Sequence, residues 1–405
     1  MRSIVRYGAV ILLAAAFLPR FEFTRGMRAA QSAATQQRAP APQPVLDPDG
    51  QVIRSERQSF RIEVLARGVE TPWGLAFLPD GRLLITERPG RLRILAGGKL
   101  LSEAVAGTPA VWERQDGGLF DVEVHPRYAE NGWIYLSYSE PGPNETSMTA
   151  IVRGRIRDNR WVDQQFIFHA PPELYTASNI HYGSRFLFDK QGRLFYSIGD
   201  RGKIDDAQDL SKPAGKVHRV QNDGSALKDN PFANRPGALP SIWTYGHRNP
   251  QGLVLDAAGR MWESEHGPRG GDELNRLEPG RNYGWGVISH GIQEGITKTA
   301  QEGMEQPIVH WTPAIGPSSI VFYSGNRYPQ WRNHLFVSAL GGQQLRRLEV
   351  VGDSVTHQEA VFTQFGRVRD LTVGPDGYFY VALQIPGARL SDSTQGFVVR
   401  LMPVP

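Results

Sequence analysis

Three features of this 405-residue sequence predict an all-β fold, a six-bladed β-propeller of four-stranded antiparallel blades. A hairpin pattern returns six times, its turns are rich in Asp and Gly, and no stretch of convincing helical length is amphipathic. The copies begin with WGLAFLPDGRLLITE (Trp73 to Glu87), FDVEVHPRYAENGWIYLSYSE (Phe120 to Glu140) and GSRFLFDKQGRLFYSIGD (Gly183 to Asp200). They continue with PQGLVLDAAGRMWESEHG (Pro250 to Gly267), SSIVFYSGNRYPQWRNHLFVSAL (Ser318 to Leu340) and VRDLTVGPDGYFYVAL (Val368 to Leu383). Each joins a short apolar strand to a strand of large apolar residues through a turn or a Gly/Asn loop, which is the signature of a hairpin. One hairpin cannot bury both its faces, but six repeated radially as stacked blades can. A strand near Phe60 to Ala66 is expected to close the ring by pairing with one near Gly396 to Met402.

Ahead of the repeats, Arg2 and Arg6 precede an apolar stretch from Tyr7 to Leu18, the layout of a secretory signal, read as residues 1–28. The stretch is short for a membrane span, so the mature form is expected to lack one and to be periplasmic or secreted. Residues 29–56, rich in Ala, Gln and Pro, read as a disordered tether, and 57–405 as the propeller domain. The absence of cysteine excludes a disulfide. A net charge of +4 on 45 basic and 41 acidic residues, with no long basic block, argues against a nucleic-acid partner.

The chemistry-bearing residues fall just before or just after the hairpins, so a propeller would bring them to one face. His181 and Asp200 could be a general base and its orienting carboxylate, or a strand-end histidine and a turn aspartate. Arg248-Asn249-Pro250 offers a permanent charge for a developing oxyanion, or a salt bridge between blades. Arg367 and Arg369, two apart on one strand face, could clamp carboxylates or form a charged rim. Gly267-Pro268, Asp272-Glu273 and Tyr283 make an oxygen-rich loop that could bind Ca²⁺ or be a plain turn with surface acids. No zinc, serine-hydrolase, Walker or Rossmann motif is present.

In order along the chain, TPWGLAFLPDG, GGLFDVEVHP, HYGSRF, SIGD, YGHRNPQG, EHGPRGGDELN, NYGW and GRVRDLTVGPDG resemble the soluble pyrroloquinoline quinone (PQQ) dependent aldose sugar dehydrogenases, the glucose/sorbosone dehydrogenase family. The likeness covers roughly Pro72 to Leu383. It implies a six-bladed propeller that oxidises an aldose at C1 to the lactone and passes electrons to an external acceptor. By resemblance, His181 is the base, Asp200 orients it, Arg248 polarises the quinone carbonyl, and Asn249 binds the cofactor. Carbonyls of Gly267 and Pro268 match ligands of the Ca²⁺ that grips PQQ. Glu273 and Tyr283, with Asp272, match a second calcium loop. Arg367 and Arg369 match arginines at the cofactor carboxylates, and Trp311 an aromatic wall.

The chain departs from the family's pattern at three places. Gly341 stands where some members carry a lysine, Asp116 with Gln115 beside it where many carry one glutamine, and Ile180 where glucose-oxidising members carry an acid. Rival readings are a calcium-dependent propeller lactonase and a non-catalytic sugar-binding propeller. Neither needs arginines around a tricarboxylate, so Arg248, Arg367 and Arg369 discriminate.

Overall fold

The Asp/Gly turns are where the hairpins form. In the first, third, fourth and sixth repeats, Gly81, Gly192, Gly259 and Gly377 have φ between +78° and +85°, which glycine adopts without strain. Each donates its N–H to the residue three back: Leu78, Asp189, Asp256 and Gly374. Asp80, Asp189 and Asp256 bond backbone N–H groups of their own turns and a following arginine, Arg82, Arg193 or Arg260. The second and fifth repeats use longer loops, one holding the four-residue helix Tyr128–Asn131 and the other the 3-10 turn Pro329–Trp331.

The structure, a computed structural model, describes residues 45–387 and 394–404; the segment read as a signal and most of the tether lie outside them. Six antiparallel sheets form a propeller, the first five four-stranded. Their innermost strands are Pro72–Phe77, Leu119–Val124, Phe186–Phe188, Pro250–Leu255, Pro317–Phe322 and Arg367–Val373, and each touches the next until the last touches the first. The second strands are buried on both faces, as in Leu83–Glu87 and Leu194–Ile198, because each blade packs between two others. A hydrophobic cluster fills each of the six blade interfaces.

The sixth blade closes the ring with chain from both ends. Ser59–Glu70 pairs with Gln395–Pro403 in a register that sets Phe60 against Pro403 and Val69 against Gly396. Val52–Arg54 adds a fifth strand against Ser59–Arg61. Pairing therefore begins before Arg57, the start drawn from composition, because Ile53 packs onto the cluster between the fifth and sixth blades.

Candidate active site

Where the innermost strands begin and the second strands end, the ring holds a cavity of about 210 Å³. Trp73, Phe120 and Tyr182 reach it from the heads of three successive blades and pack as one aromatic cluster, with centroid separations of 5.6 and 5.1 Å.

His181 enters this cavity on left-handed backbone, φ +57°. That region is unfavourable for a residue with a side chain, so the surroundings must impose it. Gly199 lies so close that a Cβ there would stand 2.3 Å from the His181 carbonyl oxygen. Asn249 Oδ1 accepts the Gly183 N–H at 3.0 Å. Asp200 Oδ1 accepts from His181 Nδ1 at 2.7 Å and from the Gly202 N–H at 2.8 Å, while Oδ2 accepts the Trp285 indole N–H at 2.7 Å. Burial pushes the Asp200 carboxyl up, but the bonds from His181 and Gly202 and the nearby Arg248 outweigh it and hold the group below its usual range. An ionised carboxylate only accepts, so Nδ1 carries a proton, and in the neutral imidazole it is Nε2 that presents its lone pair to the cavity.

Arg367 and Arg369, at the head of the sixth blade, line the same cavity. Arg369 donates Nη1 to Gln251 Oε1 at 2.7 Å, lies 5.2 Å from the Trp73 ring centroid, and has a buried Nε with no partner. Burial lowers its pKa, repulsion from Arg367 and Arg185 adds to this, and Asp116 offsets only part. Arg88 adds a third guanidinium to the lining, where Asp116 is the one carboxylate among the described residues. Such an excess of forked cations suits a polycarboxylate.

A second cavity of about 10 Å³, room for one water-sized sphere, shares His266 with the first. Glu265, Glu273, Gly267, Pro268, Tyr283 and Arg248 line it. Asn275 Nδ2 reaches Glu263, Glu265 and Glu273 at 3.1, 3.4 and 3.2 Å, while Glu263 Oε1 and Asn275 Oδ1 are buried without partners. Burial, with repulsion from Glu265, pushes Glu273 up to about 8 and Glu263 well above its usual value. Acceptor atoms of His247, Glu263 and Glu265 lie within 4.8 Å of one another. Carboxylates so confined need protons or a cation; His247 Nδ1 already meets Glu265 at 3.1 Å, and the oxygens of Glu265 and Glu273 beside the Gly267 and Pro268 backbone suit a hard cation such as Ca²⁺.

The structure brings His181, Asp116, Asn249, Arg367 and Arg369 to the large cavity, with Asp200 directly behind the imidazole. Arg248 lines the small cavity instead, its Nη1 on the His266 carbonyl at 3.2 Å and its guanidinium 5.2 Å from the Trp285 ring. Asp272 is a brace rather than an open ligand: it accepts N–H groups of Gly267, Ile315 and Gly316 at 2.6 to 2.8 Å. The Tyr283 hydroxyl is spent on Arg276 and Glu278, leaving its backbone carbonyl for a metal. Gln115 lies outside the lining and gives only its carbonyl to Arg88.

Trp311 corrects the expected aromatic wall. It lies on the outermost strand of the fourth blade, Val309–Trp311, buried against the fifth with its indole N–H on Gln358. Trp73, Phe120 and Tyr182 form the wall instead. At Gly341 a Cβ would come within 3.1 Å of the Ile315 carbonyl group, a close contact that a larger side chain would need Ile315 to yield to. His266, which joins the two cavities and bonds Asn249 Nδ2 at 3.1 Å, was hidden by its neighbours in EHGP, whose glycine and proline read as a turn.

Fold and site define a propeller whose axial cavity joins a histidine–carboxylate pair to an arginine cradle. The Glucose / Sorbosone dehydrogenase family model matches residues 69–391, and the chain belongs to that family. It is 39% identical over 356 residues to the aldose sugar dehydrogenase YliI of Escherichia coli (strain K12), covering 85% of this chain and 93% of that one. It is 26% identical over 418 residues to quinoprotein glucose dehydrogenase B of Acinetobacter calcoaceticus, covering 81% and 86%. Among solved structures, the PQQ-bound form of the aldose sugar dehydrogenase of Streptomyces coelicolor aligns with a TM-score of 0.68 at 25% identity, covering 88% and 100%.

Proposed function

We propose that this chain is an exported, PQQ- and calcium-dependent dehydrogenase that oxidises aldoses at C1 to lactones and delivers the electrons to an external acceptor. One observation carries the reading: the His181–Asp200 pair shares its cavity with Arg367 and Arg369, and Arg369 has a buried Nε left without a partner. A lactonase or a sugar-binding scaffold has no use for a polycarboxylate cradle beside a base. The PQQ-bound and quinoprotein relatives support the same conclusion. No helix among the described residues is long and apolar enough to cross a membrane, and the apolar leader is read as an export signal.

Arg367 and Arg369 would hold the carboxylates of PQQ. The backbone carbonyls of Gly267 and Pro268 would hold the calcium at the cofactor, and Glu273 with the Tyr283 carbonyl a second one. Once bound, the quinone supplies the acceptor for a hydride leaving the sugar. His181 Nε2 takes the proton of the C1 hydroxyl as that C–H bond breaks, and Asp200 keeps the imidazole in the Nδ1–H tautomer. Asn249 fixes the loop that presents the base, through the Gly183 N–H. Arg248 adds a fixed positive charge near Asp200 and the His266 carbonyl. Trp73, Phe120 and Tyr182 exclude water from one wall.

The test is dye reduction by purified apoprotein with a panel of aldoses, with and without PQQ and Ca²⁺, alongside an absorbance titration of PQQ binding. Activity that needs both additions is expected. Failure to bind the quinone would overturn the proposal and favour a hydrolase or a binding propeller.

A further inference from the structure

We propose that Arg201 is a positioning residue that locks His181 into its reactive setting, an inference that rests on His181 being the base. Arg201 follows Asp200 directly, and its own left-handed backbone, φ +55°, turns the side chain back beneath the His181 loop. It is 1% exposed. Nη1 donates to the Ile180 carbonyl, and Nη2 donates to the Ser178 carbonyl at 2.6 Å and to Ser147 Oγ at 3.1 Å. The guanidinium carbon lies 3.5 Å from the centre of the Tyr182 ring. Arg201 thus grips the chain on both sides of His181, through carbonyls before it and an aromatic face after it.

Ser147 Oγ ties the far end of the clamp to the Tyr182 hydroxyl at 2.7 Å, and Thr149 Oγ1 donates to the Tyr182 carbonyl at 2.9 Å. The gripped segment cannot rely on a strand ladder, since residues 177–183 lie outside any strand, backbone pairing with the strand Leu194–Ile198 begins only at Ser184, and His181 itself is left-handed. A flat guanidinium sets its donors in fixed, coplanar directions while laying its face on the Tyr182 ring, a geometry that an ammonium does not offer. Among the described residues no carboxylate pairs with Arg201 at salt-bridge distance, so this buried cation is held by carbonyls, a hydroxyl and an aromatic ring. Burying a charge is costly, and ordinary packing would be served by an apolar side chain. Asp200 holds the imidazole and Arg201 holds the backbone that carries it, so two consecutive residues fix the base as one rigid unit.

The test uses Arg201→Gln, Arg201→Lys and the milder Ser147→Ala. In the metal- and quinone-free protein, the proton NMR signal of the His181 Nδ1–H, assigned by its loss in His181→Ala, should shift or broaden in Arg201→Gln and partly recover in Arg201→Lys. In the loaded enzyme, kcat should fall about 10²-fold, with sugar KM and PQQ affinity changed by less than about threefold. An unchanged Nδ1–H signal in Arg201→Gln overturns the proposal, as does a kcat loss matched by an equal loss of PQQ affinity. If Arg201→Gln fails to fold, Ser147→Ala decides: a shifted signal supports the clamp and an unshifted one overturns it. The NMR arm needs no quinone, so it stands apart from any failure of the dehydrogenase reading.

Discussion

A histidine held in the left-handed region is the centre of this site, and its neighbours explain how it stays there. Gly199→Ala should displace it, because the new Cβ would meet the His181 carbonyl carbon at 2.7 Å as well as its oxygen. The expected loss in turnover is about 10²-fold, read by steady-state kinetics at saturating PQQ. His181→Ala should reduce kcat by about 10²- to 10⁴-fold while the PQQ titration stays unchanged, since the imidazole supplies a proton acceptor rather than cofactor affinity. Arg369→Ala should do the reverse. Losing a charged hydrogen bond worth about 1.5–3 kcal/mol should weaken PQQ binding roughly 10- to 100-fold, measured by the same titration. His181, its carboxylate and the paired arginines, which the fold brings to one cavity, stood out in the sequence because each sits at a hairpin end in a recognisable motif. Arg201 was not, since a basic residue in a Gly-Asp-Arg-Gly turn reads as surface until the fold buries it.

At the scale of the element, the hairpins were legible because Asp and Gly specify their turns by local chemistry alone. Longer connections were less so. The loop between the second and third strands of the third blade depends on Lys216, whose fully buried ammonium donates to the carbonyls of Asp206, Ala207 and Ala214 at 2.6, 3.1 and 2.8 Å. That loop carries Gln208, which bonds the Trp285 carbonyl at 2.8 Å, and Trp285 in turn bonds Asp200. Lys216→Met should strand three buried carbonyls and cost about 3 kcal/mol, read as a lower denaturant midpoint. Trp311 shows the opposite failure. Its motif position suggested a cavity wall, but the fourth strand of a blade is the outermost, and its side chains pack sideways against the next blade.

Across the whole molecule, one buried arginine stitches the blades together at the axis. Arg185 Nη1 lies 3.0 Å from both Asp121 and Asp370, and its Nε donates to the Gln251 carbonyl at 2.7 Å. Asp370 also accepts the Leu75 N–H at 2.7 Å, so five of the six inner strands or their leading turns are linked. Burial pushes Asp121 up to about 7; Arg185 opposes this and Asp370 adds to it. A carboxyl whose folded pKa is raised stabilises the fold fully below its unfolded pKa of about 3.9 and loses that contribution as pH rises through the folded value. The Tm should therefore decline as pH is raised from about 4 through 7, and Asp121→Asn should flatten that slope in a thermal-melt series. Deleting residues 395–405 should abolish cooperative folding, seen by circular dichroism, because it removes the strand between Ser59–Glu70 and Phe379–Gln384. The sequence by itself determined the hairpins, their number and the pair of chain segments that closes the ring, because turn chemistry and apolar alternation act between near neighbours. Only the tertiary structure decided which rings wall the cavity, that Arg248 faces the smaller chamber, and that Arg201 grips the histidine loop. Those facts depend on radial position and on contacts between residues remote in sequence, which no local pattern records.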